Sequence, residues 1–311
     1  GIYMDCTVGF GGHSEEILSR LNNKGYLIGI DIDPYALKTS NDRLSKKYKN
    51  FSLYNCSYVE FPKILEKNKL KKVDGLLFDI GISSYQVDEA HRGFSYNKEG
   101  PLDMRFNQEN QKFLSAKELL YNISEKNLSN IIKIYGEERY HKRIAKSIIN
   151  AINKKQMETT FDLRNSICNV VPKINSIKIL SRVFQAIRIA LNDEINILKT
   201  TLKLSYKYLN KGGRIAFITF HSIEDRIVKH FLKDSVIYKN TTYEIEFKEN
   251  NKKFNLINKK PILPSHEEIK TNSRSRSAKL RIAERIWGKR NKIKIYQVLL
   301  YTFPSFLLLL S

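Results

Sequence analysis

Asp5-Cys6-Thr7-Val8-Gly9-Phe10-Gly11-Gly12-His13 is the densest run of residues able to hold a ligand, and it directly follows a short apolar stretch, residues 2–6. Glycines in such a place let the backbone turn sharply and approach a ligand closely, at the carboxyl end of a sheet where open α/β folds bind. Asp31 lies at the end of the next apolar run, residues 26–32, nineteen residues after Gly12. An acidic side chain there accepts hydrogen bonds from both ribose hydroxyls of an adenosine-bearing cofactor. An ordinary tight turn with a helix-capping aspartate would use the same residue types.

Two ligand classes share this geometry. A dinucleotide fingerprint beginning at Gly9 needs a third glycine where Ser14 stands, and the loop has no Walker lysine. Asp5, an acid ahead of the glycines, suits a ligand with a cationic amino group, which S-adenosylmethionine has. A methyltransferase is therefore favoured over a nicotinamide oxidoreductase.

A second group, Asp79-Ile80-Gly81-Ile82-Ser83-Ser84-Tyr85-Gln86, follows the strong apolar run 73–80. Polar residues at the carboxyl end of that run are placed to hold an acceptor amine in line with a methyl donor, which is mostly a positioning problem. The same residues also read as a capped helix start, and both readings stand. Near the end of the chain, Arg274, Arg276, Lys279, Arg281 and Arg285 form a basic cluster with interleaved serines. Arginine forks suit phosphate oxygens, while a solvated surface run gives the same pattern. His221 and His230 have no third ligand at matching spacing, so no metal is expected.

The elements that must position these residues alternate at first. Apolar runs at 2–6, 26–32, 51–54 and 73–80 are separated by helix-length segments, the pattern of a parallel sheet covered on both faces. Residues 100–176 carry helix-favouring stretches at 116–121, 125–135 and 137–152 and no strand signal. Val183, Ile187, Leu191, Ile195, Leu198 and Leu202 then recur at steps of four and three, predicting one apolar helix face that runs on to Gly212-Gly213. A buried strand over 214–220 and a helix over 224–233 follow. The predicted organisation is a methyltransferase domain over 1–99 and 177–286, a helical insertion over 100–176 serving RNA recognition, and an unassigned tail over 287–311.

The chain has 311 residues, enough for one large domain or a domain with an insertion, and a formal net charge of +22. Such a charge suits a polyanionic partner through counterion release, although general over-use of Lys, Asn and Ile would also produce it. The three scattered cysteines form no C-x-x-C pair, which argues against structural zinc or a disulfide framework. The longest apolar stretch, 298–310, is short for a membrane span and contains Pro304, so no membrane association is expected. Residue 1 falls inside what reads as a strand, and a preceding segment is expected. Nothing in the sequence fixes an oligomeric state.

Several motifs in one order carry a family resemblance: Asp5–His13, Asp79–Gln86, Arg92-Gly93-Phe94-Ser95, residues 100–105, Tyr135-Gly136-Glu137-Glu138-Arg139, Phe184-Gln185-Ala186, residues 220–226 and 272–277. Together they resemble the RsmH (MraW) family over residues 1–286. That resemblance implies a Rossmann-like class I fold and S-adenosylmethionine-dependent methylation of a cytosine N4 amine in the decoding region of small-subunit ribosomal RNA. It further implies cofactor contacts at Gly11, Gly12, His13, Asp31, Tyr58, Asp79 and Gln86, with Tyr58 packing on the adenine. Candidates to bond the amine's hydrogens are Asp79, Ser83, Ser84 and Asp103, and Arg274, Arg276 and Lys279 are the candidates for RNA phosphates. Tyr85 stands where the family commonly has proline, and Cys6 where a small residue is usual. The usual Asp-Pro-Pro-Tyr motif of DNA amino-methyltransferases is absent. The implied partner is ribosomal RNA within a 30S-type subunit, in bacterial cytoplasm or an organelle's matrix or stroma. The rival reading is a non-catalytic RNA-binding or ribosome-assembly protein that keeps this fold.

Overall fold

The computed structural model describes residues 1–21, 24–233 and 254–286, so the 287–311 tail with its apolar run lies outside the described residues. The chain divides into two compact units, residues 1–81 with 197–311, and residues 82–196.

The first unit is built on β1 (Ile2–Asp5), α1 (Gly12–Leu21), β2 (Tyr26–Asp31), α2 (Pro34–Leu44), β3 (Phe51–Asn55), α3 (Phe61–Lys67) and β4 (Val73–Asp79). The four strands pair in parallel in the order β3-β2-β1-β4, with Asp5 opposite both Gly29 and Leu77, and Asp31 opposite Asn55. Their carboxyl ends therefore align. Leu27, Ile28 and Ile30 are all buried, as expected of a parallel strand covered on both faces. Asp33 caps α2, its Oδ1 accepting from the Tyr35 amide, and Pro34 fills a first-turn position that needs no amide donor.

The second unit contains α4 (Ser84–Asp88), α5 (Ala116–Asn122), α6 (Glu125–Gly136), α7 (His141–Asn153), α8 (Thr160–Cys168) and α9 (Ser176–Leu191). It has its own core, in which Leu128, Ile132, Ile144, Ile148, Leu163, Val183 and Ile187 are buried together. Its compact boundaries, 82 and 196, lie outside the 100–176 span read from the sequence. Phe94, from the segment before residue 100, and the apolar face of α9 both pack into this helical core.

The single long helix expected through residues 183–202 is two. Helix α9 ends at Leu191, and α10 (Glu194–Tyr208) restarts after Asp193, which is left-handed at φ 51°. Tertiary contacts override the continuous spacing. Asn192 Nδ2 donates to Met104 O at 2.9 Å, and its Oδ1 accepts from Phe106 N at 3.1 Å. Arg188 grips Glu194 across the break with two bonds of 2.7 and 2.9 Å, and both residues are buried.

The sheet then resumes with β5 (Leu209–Thr219), α11 (Ser222–Leu232), β6 (Phe254–Leu256), α12 (His266–Thr271) and β7 (Lys279–Arg285). Its full order is β3-β2-β1-β4-β5-β7-β6, with β7 antiparallel to both neighbours. Strand β5 starts earlier than the 214–220 expected, so the helix before it stops at Tyr208 rather than at Gly212. Strands β6 and β7 were not among the sequence expectations. Among the described residues, no helix is long and apolar enough to cross a membrane.

Candidate cofactor and substrate site

The carboxyl ends of β1, β2 and β4 hold the glycine loop in a fixed shape. Asp5 is wholly buried, its Oδ1 accepting from Thr7 N at 3.1 Å and its Oδ2 from Ser14 Oγ at 2.7 Å. Burial raises its pKa above the ordinary carboxylate value, partly opposed by His13 and Ser14. Asp5 thus braces the loop from inside, rather than facing a cationic ligand as the sequence suggested. Gly9 (φ 53°) and Gly11 (φ 84°) are left-handed, a conformation other residues resist. A Cβ placed on Gly9 would meet nothing within 4 Å, so the loop has open space beside its backbone.

Asp31 ties this loop to β2. Its Oδ2 accepts from Gly9 N at 2.7 Å and its Oδ1 from Asp33 N at 2.8 Å. Each carboxylate oxygen keeps a second lone pair, the capacity that two ribose hydroxyls require. Loss of solvent pushes the Asp31 pKa up to about 6, although the Asp33 and Gly9 amides favour the ionised form.

Asp79 closes the other side. Its amide donates to Thr7 Oγ1 at 2.6 Å, and its Oδ2 lies 3.3 Å from His13 Nε2. Its Oδ1 is buried with no hydrogen-bond partner among the described residues. A buried acceptor without a donor fits the ammonium of S-adenosylmethionine, and with the open backbone at Gly9 it makes the residues present compatible with that cofactor. Burial disfavours a charged His13, but the adjacent Asp79 carboxylate outweighs this and raises its pKa. Tyr58 follows β3, its ring edge-on to Phe78 with centroids 5.9 Å apart. Gly11, Gly12, His13, Asp31, Tyr58 and Asp79 all belong to the first unit, where His13 meets Asp79 and Asp31 holds the loop at Gly9.

The remaining predicted residues divide differently. Gln86, Ser83, Ser84 and Asp103 belong to the helical unit. Ser83 caps α4: its Oγ accepts from Gln86 N at 3.2 Å, and Gln86 Oε1 accepts from Ser83 N at 3.0 Å. Ser84 is the first helical residue. Asp103 is chelated by Arg105, whose Nε and Nη2 donate to its two oxygens at 3.0 and 2.7 Å. Burial pushes the Asp103 carboxyl up, but the Arg105 bonds outweigh it and hold the pKa low.

The basic cluster is only partly a surface. Arg274 and Arg276 are exposed on a 3-10 turn, Ser273–Ser277, anchored by buried Ser275. Lys279 opens β7 with its Nζ 3.4 Å from Asp225 Oδ2. Arg281 and Arg285, read from the sequence as part of the phosphate-binding cluster, are buried. Arg281 makes a two-pronged pair with Asp225 at 2.6 and 3.1 Å, and Arg285 lies over the Tyr206 ring. Both are structural cations of β7. His221 caps α11, its Nδ1 accepting from Glu224 N at 3.4 Å.

The parallel sheet with one antiparallel strand, the glycine loop after β1 and the acid after β2 form a Rossmann-like fold, and the family match makes the class that of the methyltransferases. The chain belongs to the MraW methylase family, whose model matches residues 1–286. It is 45% identical over 293 residues to the ribosomal RNA small subunit methyltransferase H of Halothermothrix orenii, covering 92% of this chain and 93% of that one. It is 43% identical over 293 residues to the protein of the same name from Clostridioides difficile, with the same coverage. Among solved structures, an rRNA methylase from Streptococcus thermophilus aligns over 92% of this chain and 87% of its own, at 11% identity and a TM-score of 0.38.

Proposed function

We propose that the protein methylates the N4 amine of a cytosine in small-subunit ribosomal RNA, using S-adenosylmethionine. The observation that carries this reading is 45% identity across 92% of the chain to proteins named ribosomal RNA small subunit methyltransferase H. When bound, the cofactor supplies an electrophilic methyl group. Gly11, Gly12 and His13 line its loop, Asp31 takes the ribose hydroxyls, Tyr58 packs against the adenine, Asp79 offers its buried Oδ1 to the ammonium, and Gln86 is assigned as a further cofactor contact. The lone pair of the target amine is delocalised into its ring, so an acceptor bonded to the amine hydrogens helps it rehybridise as the nitrogen gains the methyl and loses a proton. Asp79, Ser83, Ser84 and Asp103 are the candidates for that acceptor.

Arg274, Arg276 and Lys279 are assigned to RNA phosphates, and the helical unit to RNA recognition. The substrate is read as RNA within a 30S-type subunit, in bacterial cytoplasm or an organelle. Incubation with S-adenosylmethionine and unmodified small subunits, followed by nuclease digestion and mass spectrometry, should yield N4-methylcytidine. A protein that binds the subunit and forms no methylated nucleoside would be the assembly factor instead.

A further inference from the structure

The turn joining α6 to α7 presents an exposed cationic and aromatic surface on a buried anchor. Glu137 ends α6 in a left-handed conformation, φ 47° and ψ 37°, with its amide bonded to Ile132 O. Glu138 is 2% exposed; one carboxylate oxygen accepts from Tyr140 N at 3.0 Å and the other lies 3.3 Å from Arg182 Nη1 of α9. This buried acid fixes the backbone that carries Tyr140.

On the outside, the Arg139 guanidinium carbon lies 4.6 Å from the Tyr140 ring centroid, and Arg139 Nη2 donates to the phenol oxygen at 2.7 Å. The Arg143 guanidinium carbon, one helical turn further, lies 5.9 Å from the same ring. Both arginines are exposed, and Tyr140 is half-buried. The local field is positive. Burial, then Lys133 and Lys142, lower the pKa of neighbouring His141. Between residues 126 and 155 the only acids are Glu137 and Glu138, and the second is turned inward.

We propose that the face formed by Arg139, Tyr140 and Arg143 holds an unpaired stretch of the RNA substrate. Guanidinium forks bind phosphate oxygens, and a planar ring flanked by guanidinium groups offers a base a stacking surface. Unpaired RNA supplies both groups together, whereas the paired bases of a duplex cannot reach the ring. The proposal rests on the reading of the substrate as RNA and adds where a single-stranded part of it sits.

The test uses the full chain and a short fluorescein-labelled oligocytidylate, titrated by fluorescence anisotropy across a salt series. Arg139→Ala/Arg143→Ala should bind at least about tenfold more weakly, and its log–log salt slope should be shallower by about 1.4, from about 0.7 per lost single-strand phosphate contact. Tyr140→Leu should weaken binding by about tenfold with an unchanged slope, while Tyr140→Phe, which keeps the ring, should stay within about twofold of wild type. Unchanged melting temperature and S-adenosylmethionine affinity keep the comparison to folded protein.

Wild-type affinity and slope in the double variant would overturn the proposal. Equal binding of an RNA duplex, or equal competition by polyglutamate, would also overturn it. Methylation of small subunits is read in parallel. Methylation that is indifferent to these variants removes the patch alone. Patch-dependent RNA binding without methylation supports the patch and removes the proposed reaction.

Discussion

The glycine-loop end of the sheet unit and the start of α4 with the Asp103 turn both carry predicted site residues, but they differ in how their polar groups are used. In the sheet unit, acceptor capacity is left over: Asp79 Oδ1 is buried without a donor, and Asp31 bonds one amide at each oxygen. In the helical unit, Ser83 and Gln86 bond each other's backbone amides, and Arg105 makes three bonds to Asp103, its amide and Nε to Oδ1 and its Nη2 to Oδ2. The first region keeps acceptor capacity that its own backbone does not use. The second is shaped by its own backbone, and the proposed acceptor role of Ser83 falls to the hydroxyl lone pair that Gln86 N leaves unused.

Substitutions can break that comparison. The largest effect should come from Asp31→Ala, which removes the Gly9 tether and the two ribose bonds proposed above. S-adenosylmethionine affinity should fall by about 1.5–3 kcal/mol, the range for hydrogen bonds to a charged group. Unchanged calorimetric affinity in the folded variant would take Asp31 out of the site.

Next is Ser83→Ala/Ser84→Ala, expected to bind cofactor and RNA nearly normally but to turn over at least about tenfold slower, equivalent to ~1.4 kcal/mol. Single-turnover methylation at saturating substrates measures that step, and a wild-type rate would leave Ser83 as a helix cap and Ser84 as a first-turn residue only.

The Asp31 pKa of about 6 gives a pH test of similar size. The ionised carboxylate is the form that accepts ribose hydroxyls, so binding releases a proton below this pH and none above it. Affinity should be flat above pH 6 and fall towards about tenfold per unit below it. Asp31→Asn should lose that dependence, and if it keeps the full pH profile another group is titrating.

The smallest effect separates the two serines. Ser83→Ala removes the cap and should cost about 1 kcal/mol of stability, while Ser84→Ala should cost much less. Equal melting temperatures for the two variants would contradict the capping box.

Much of the sheet unit was legible because its signals are local. Apolar runs mark β1 to β4, the glycines fall at the left-handed turn after β1, and Asp31 ends β2. What escaped was set by distant contacts. The apolar spacing from Val183 to Leu202 continues in phase across Asn192 and Asp193, and only the bonds to Met104 and Phe106 show why the helix stops. Strand β7 was read as part of a basic cluster, yet Lys279-Leu280-Arg281-Ile282 alternates charge with apolar bulk, the period-two signal of a strand. Asp225, the partner that allows Arg281 to be buried, lies fifty-six residues earlier. The platform at Tyr140 was hidden likewise, because Glu138 reads as one more surface acid until its burial is known.

The insertion of β7 between β5 and β6 has a consequence for how the chain is made. Gly75 of β4 pairs with Arg214 of β5, and the helical unit that separates them in sequence has its own core. As the nascent chain emerges from its amino end, that helical unit can fold before β5 exists, while β4 still lacks one neighbour. The sheet cannot be completed until Arg285 has been synthesised, because β6 is joined to the rest only through β7. The strand that finishes the fold is therefore the last of the described strands to be translated, which makes late chain termination far more damaging to this architecture than its distance from the glycine loop suggests.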